Sequence, residues 1–219
     1  MELSLPGKAY LLALNPKSGR LRDRERSAYA VRAAALTDLV LRGRLGDDGG
    51  TPVVRPAGST GDDVLDEVLG QLVEDRPGSW KGAVRKGSRG TVRTVEAQLE
   101  AAGVVEPRRA HVLGVFPVRG ERLRDTGAQH RLRSVVDGVL RGGGEVAAIP
   151  PSDAALTALA VTARVKGIAT AGERRRYSDR LDALGASAGA PAPALRSVLR
   201  ALDGVRAGIA SSANGGSGG

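Results

Sequence analysis

Apolar side chains recur along much of the chain at the three- and four-residue spacing of amphipathic helices. Between Arg24 and Arg44, Val31, Ala35, Leu36, Leu39 and Val40 fall on one face, and Gly43 suits a left-handed helix stop. Val64, Leu65, Val68, Leu69, Leu72 and Val73 form a second stripe. It follows Ser59-Thr60-Gly61-Asp62, whose side-chain oxygens can cap the first free N–H groups of a helix. Leu132, Val135, Val136, Val139 and Leu140 form a third stripe. Leu156, Leu159, Ala160, Ala163 and Ile168 form a looser fourth, and Leu195, Val198, Leu199, Leu202, Val205 and Ile209 a fifth. Each stripe must bury itself against another element, so the pattern predicts a mainly α fold, a single-domain helical bundle over residues 1–212.

Strand signals are short. Pro52-Val53-Val54-Arg55 reads as one extended piece. Val104-Val105-Glu106 and His111 to Phe116 flank Pro107-Arg108-Arg109-Ala110 and read as a β-hairpin turning at those four residues. Projecting, its apolar Val112, Leu113, Val115 and Phe116 would form a wedge for a membrane interface or a second subunit; folded back, they would be core. Gly185 to Pro193 reads as a loop, and residues 213–219, a Gly/Ser run, as a flexible tail.

Composition narrows the function. Of 219 residues, 33 are Lys or Arg and 24 Asp or Glu, a net charge of +9 that favours anionic partners: nucleic acid, acidic membrane or a phosphorylated ligand. The absence of Cys excludes a disulfide scaffold, a thiolate nucleophile and Cys-bound zinc. Five aromatics (Tyr10, Tyr29, Trp80, Phe116, Tyr177) are few for stacking on splayed bases. No apolar run approaches the ~20 residues of a membrane span, and Met1 to Pro6 carries an acid where a leader would be basic. A cytoplasmic protein, peripheral at the cytosolic membrane face, is expected. The abundance of Ala, Arg and Gly resembles that of a high-GC bacterial genome.

The densest carboxylates, Asp62, Asp63, Asp66 and Glu67, sit where a helix begins and where acid complements the helix dipole. No nucleophile elbow, Lys-Ser/Thr phosphate loop or paired-histidine metal motif occurs, and His111 and His130 read as structural or solvated. The expectation is therefore no catalysis, no cofactor and no metal.

The cations carry more. Lys81 to Val95 holds Lys81, Arg85, Lys86, Arg89 and Arg93 with no acid. Gly87-Ser88-Arg89-Gly90 reads as a break between helices, placing Arg89 in the connector and Arg93 in the next first turn. A Gly-containing connector at a helix N-terminus suits phosphate, because free N–H groups point outward and arginines add bidentate donors. Arg20, Arg22, Arg24 and Arg26 form a second cluster ahead of the helix carrying Arg32, and Arg174-Arg175-Arg176 a third. Any one cluster could equally be a solvated surface.

Several of these stretches, taken in order, resemble one family. Leu39-Val40-Leu41-Arg42-Gly43-Arg44-Leu45 looks like its Leu-Arg-Gly-Arg-Leu signature. Thr60-Gly61-Asp62-Asp63-Val64-Leu65-Asp66-Glu67-Val68-Leu69 looks like its Thr-Gly-Asp…Leu-Asp-Glu-x-Leu stretch. Leu11-Leu12-Ala13-Leu14, Ala102-Gly103-Val104-Val105 and the apolar hairpin follow the same order, from about Leu3 to Ala210. The family is that of Golgi phosphoprotein 3, which includes vacuolar sorting protein 74 and bacterial relatives. The resemblance implies a helical domain with one protruding β-hairpin and peripheral membrane binding through phosphatidylinositol 4-phosphate. It implies as further partners the cytosolic tails of membrane proteins, glycosyltransferases in eukaryotic relatives, and self-association through the hairpin. The family's headgroup arginine on the long helix falls on Arg32, and its later pair near Arg89 and Arg93. Those two are four apart where the family's pair is three apart, and the strict register reaches Val92. Asp23 stands at the position of the family's headgroup-contacting Trp, flanked by Arg22 and Arg24.

The leading expectation is thus a phosphoinositide-binding module with Arg32, Arg89, Arg93 and Arg24 around the headgroup. Val112, Leu113, Val115 and Phe116 would enter the interface. The alternative is a basic helical protein that binds nucleic acid, separable by a steep salt dependence indifferent to lipid identity.

Overall fold

The computed structural model describes residues 3–55, 58–112, 116–187 and 192–214. Its first helix, α1 (Leu5–Ala13), begins after Ser4 with Pro6 in the first turn, and nearly every residue of it is buried. A segment apolar on all sides shows no stripe, which is why the pattern of the sequence does not announce it. The strands β1 (Leu14–Asn15) and β2 (Arg20–Leu21) pair antiparallel and lead into α2 (Arg24–Leu41). The predicted face of α2 is buried, and so are Ala28, Ala30, Ala33 and Ala34 around it. These small side chains let neighbours pack close on several sides, so α1 and α2 form the centre of the fold.

A buried helix must find partners for its terminal backbone groups. On α2, the Asp38 carboxylate accepts the Leu5 N–H at 2.8 Å and is itself held by Arg42 Nε at 2.7 Å. At the other end of α1, Gln129 Nε2 donates to the Leu14 carbonyl at 2.8 Å and Arg133 Nη2 to that of Leu12 at 3.0 Å.

The hairpin β3 (Leu45–Asp48) and β4 (Thr51–Val54) precedes α3 (Asp63–Asp75), which Asp62 caps through the N–H groups of Val64 and Leu65. There follow α4 (Trp80–Arg85), α5 (Ser88–Ala101), β5 (Val105–Val112), β6 (Phe116–Leu123) and α6 (Thr126–Arg141). The described chain closes with α7 (Pro151–Thr162), α8 (Ala171–Arg176), α9 (Ser178–Ala186) and α10 (Ala192–Asn214). The fold is mainly α, with three small two-stranded hairpins among the described residues. α3, α4, α5, α7 and α10 all pack on α2, and one apolar cluster runs from Leu5 to Val205.

Some expectations shift. Val73 and Val135 belong to their stripes on paper but stand 54% and 39% exposed. Gly185 belongs to α9 and Pro193 to α10, so helix extends into both ends of the expected loop. The hairpin forms, but Pro107 to Ala110 lie within β5 rather than at its turn. Both strands of an isolated ribbon are edges, so Pro107, opposite Glu121, does not interrupt a further ladder.

Candidate anion-binding site

The chain between α4 and α5 turns sharply. Lys86 is extended, and Gly87, at φ +76°, caps α5 without any side-chain oxygen. A Cβ at Gly87 would come within 2.5 Å of Gln71 Oε1 and 3.3 Å of the Arg32 guanidinium, so the turn requires glycine. Thr91 N–H bonds the Gly87 carbonyl at 2.9 Å. The amides of Ser88, Arg89 and Gly90 are the ones α5 leaves without an intrahelical partner, at the positive end of its dipole. A cavity of about 580 Å³ opens at this point, walled by Tyr29, Pro77, Arg85, Lys86 and the Gly87 to Gly90 backbone.

Arg32 lies beneath it, 1% exposed. Its Nε donates to the Ala83 carbonyl at 3.1 Å, and its Nη1 to Gln71 Oε1 at 2.7 Å and Thr91 Oγ1 at 3.1 Å. Burial pulls the guanidinium down to about 10, with Glu67 and Asp75 acting against that, so it stays charged at neutral pH. The resemblance implies a direct headgroup contact for Arg32; the geometry places it one layer below the cavity floor. From there it ties α2 to α3, α4 and α5 and puts positive potential under the free amides.

The other expected residues divide. Arg89 lines the cavity, from the first turn of α5 rather than the connector. Arg93 is exposed one turn further on, with Nη2 about 4.0 Å from where a Gly90 Cβ would stand. Val92, at the strict register of the family's second arginine, is in the core. Arg24 opens α2, eight residues before Arg32 and so about 12 Å along the axis. Its charge, like that of Arg93, acts on Glu96. Arg85 and Lys86 line the cavity instead. Lys86 Nζ pairs with Asp75 at 2.8 Å, whereas Arg85 and Arg89 have no ion pair among the described residues.

Asp23 does not face the cavity: its carboxylate caps Arg26 N–H at 3.1 Å and pairs with the Arg26 side chain. The aromatic wall comes from Tyr29, whose hydroxyl donates to Glu25 at 3.0 Å beside Arg85. The reading of the sequence missed Tyr29; its place three residues before Arg32, on a neighbouring helical position, is the signal that could have found it.

The hairpin's last registered pair is Val112 with Phe116, and the expected contacts Leu113 and Val115 lie outside the described residues. Near its base, Glu121 N–H bonds the Gly19 carbonyl at 2.6 Å. The Glu121 side chain is 9% exposed and its Oε2 has no hydrogen-bond partner among the described residues. Burial first, then the charges of Glu96 and Glu100, push its carboxyl up to about 7. Tyr10 donates its hydroxyl to Glu96 at 3.1 Å in the same cluster.

Among the described residues, no helix is long and apolar enough to cross a membrane. Residues 5–202 match the family described as Golgi phosphoprotein 3 (GPP34), and the chain belongs to that family. No curated protein matches it. Membership agrees, at the level of the family, with a phosphoinositide-binding adaptor that associates with membranes and membrane proteins.

Proposed function

We propose that this protein is a peripheral adaptor at the cytosolic face of a membrane. It would hold a phosphorylated lipid headgroup, of the phosphatidylinositol 4-phosphate kind, in the cavity at the start of α5. The observation that carries this reading is the union of three uncapped amides, at Ser88, Arg89 and Gly90, with two guanidiniums, Arg85 and Arg89, that have no ion pair among the described residues, over a buried charged Arg32. A phosphate monoester accepts the backbone N–H groups and takes bidentate donation from the arginines. Tyr29 offers an apolar wall against the sugar-like ring, and Lys86 adds charge at the rim. This is binding without turnover.

One headgroup holds a protein on a membrane only loosely, so a second attachment is needed. The hairpin, with Val112 and Phe116 closing its described strands, is the proposed one, by insertion or by pairing protomers for avidity. Tails of membrane proteins are the proposed clients.

Co-sedimentation at physiological salt with vesicles that are neutral or that carry phosphatidylserine, phosphatidylinositol or its 4-phosphate tests the proposal. Selective pelleting with the 4-phosphate, weakened in Arg89→Ala with an unchanged circular dichroism spectrum, is the expected result. Equal pelleting with every anionic lipid would reduce the site to general electrostatics. No pelleting, with steeply salt-dependent DNA binding instead, would replace it with the nucleic-acid reading.

A further inference from the structure

The third basic cluster of the sequence stands apart from the cavity at α5. We propose that it forms a second oxyanion site, in which Arg164, Arg174, Arg175 and Ser178 take a phosphate group. These residues wall a cavity of about 450 Å³ between the end of α7 and α8.

Three observations converge on it. The nearby carboxylates are already engaged: Glu173 accepts from Arg141 at 2.8 Å and caps α8 through Thr170, Asp203 holds Arg206 at 2.7 Å, and Asp179 accepts from Ser178 Oγ at 3.3 Å. Among the described residues, none of Arg164, Arg174 and Arg175 has an ion pair. Yet burial and then the positive charges of Arg206, Arg174 and Arg26 all act against the charge on Arg164, with Asp203 alone favouring it. Like charges that outnumber the acids beside them repel one another, and an anion in their midst relieves that repulsion.

The second observation is the backbone of Arg164. Three helices end with the same six-to-one bond: Arg44 N–H to the Leu39 carbonyl, Val104 to Leu99, and Val165 to Ala160. That ending needs one residue in the left-handed region, which an L side chain resists. α2 and α5 supply Gly43 and Gly103, at φ +70° and +67°, whereas α7 supplies Arg164 at +54°. The fold would be served better by glycine there, so the arginine answers to something other than the helix end.

The third is preorganisation. Arg174 is half-buried and anchored by its Nη1 on the Ala169 carbonyl at 2.8 Å, which fixes the floor of the basin. Arg175 stands exposed at its edge with guanidinium donors for an incoming oxygen, and Ser178 beside it gives its hydroxyl to the Arg175 carbonyl at 3.0 Å until such an oxygen competes for it. Arg26, whose charge reaches Arg164, is one turn before Tyr29 on α2, so the first turns of that helix separate the two basins. A membrane could therefore offer a headgroup to each. The site does not depend on that, since a soluble phosphate would meet the same donors.

The natural variant is Arg164→Gly, because it removes the guanidinium while giving the helix end its preferred residue. In amide NMR titrations with inorganic phosphate, the wild type should show saturable shifts at Arg164 and from Arg174 to Ser178. Arg164→Gly should weaken them by about tenfold, with an equal or higher melting temperature and with any shifts at Ser88 to Gly90 intact. Arg175→Gln, which leaves the backbone alone, should weaken the same resonances. Absence of saturable shifts at α7–α8, or undiminished affinity in both variants, would overturn the proposal. Flotation with phosphatidylcholine vesicles carrying phosphatidylinositol 4-phosphate then identifies the source. Weaker flotation of Arg164→Gly assigns the phosphate to a headgroup; unchanged flotation, with phosphate affinity lost, assigns it to a soluble ligand. Arg89→Ala, run beside it, reports on the α5 cavity alone, so the failure of one site is distinguishable from the failure of the other.

Discussion

The two ends of α5 each bury a charge, and they do it differently. Beside its first turn, Arg32 is 1% exposed and finds a carbonyl, an amide oxygen and a hydroxyl. Further along the helix, Glu121 packs near Glu96 and other acids, its Oε2 without a hydrogen-bond partner among the described residues. A buried ion that is hydrogen-bonded keeps its charge and becomes structural; one left short of partners, among like charges, moves its titration toward neutrality instead. The first end is a fixed cation beneath the cavity. The second is a proton-sensitive contact where the β5–β6 hairpin meets the bundle.

The sharpest way to break this contrast is Arg32→Ala, which leaves Gln71 and the Ala83 carbonyl without their donor and opens a void between four helices. A loss of about 3 kcal/mol or more is expected in urea unfolding; a near-neutral result would mean that Arg32 is not the tie between them.

Glu121 makes the opposite prediction. Its folded value of about 7 lies above the ordinary carboxyl value of 4.5, so the folded state holds the proton more tightly. Stability from this group is fully present below about pH 4.5 and falls away as pH rises through 7. The loss should be on the order of 2–3 kcal/mol by pH 8. Glu121→Gln should flatten that decline and be the more stable protein at pH 8; an unchanged pH profile would mean the carboxylate is solvated.

Gly87→Ala tests the turn itself. Strain at positive φ and the crowding against Gln71 predict a loss of about 1–2 kcal/mol, read in the melting temperature, with weaker binding to anionic vesicles. Arg89→Ala should leave stability within about 0.5 kcal/mol. It should reduce vesicle affinity about fivefold at low salt, and less as salt rises.

The helices with one apolar face were legible in the sequence. The stripes of α2, α3, α6 and α10 lie within elements at those positions, that of α7 overruns its end at Ala163 and Ile168, and Asp62 caps α3 as its spacing predicts. The motifs around Leu41-Arg42-Gly43 and Thr60-Gly61-Asp62 pointed to the family that residues 5–202 match. α1 was not legible, because a helix buried on every side has no polar face to mark its period. The hairpin's turn was misplaced because Pro107 reads as a turn residue wherever the neighbouring strand is unseen. At the cavity, the Lys81 to Val95 charge run and Gly87 pointed to the segment that forms much of its wall. Tyr29 escaped notice, Arg24 and Arg93 turned out to belong to the surroundings of Glu96, and Arg32 lay deeper than its family role implies.

Local pattern thus determined the class of fold, the stop at Gly43 and the cap at Asp62, because capping and amphipathicity act within a few residues. The tertiary structure decided which cations share a cavity, since Arg32 meets Gln71, Ala83 and Thr91 from 39 to 59 residues away. It also decided that Arg32 is a floor rather than a fingertip and that Glu121 titrates near neutrality. Burial is a property of what the rest of the chain brings alongside a residue, and no stretch of sequence around that residue contains it.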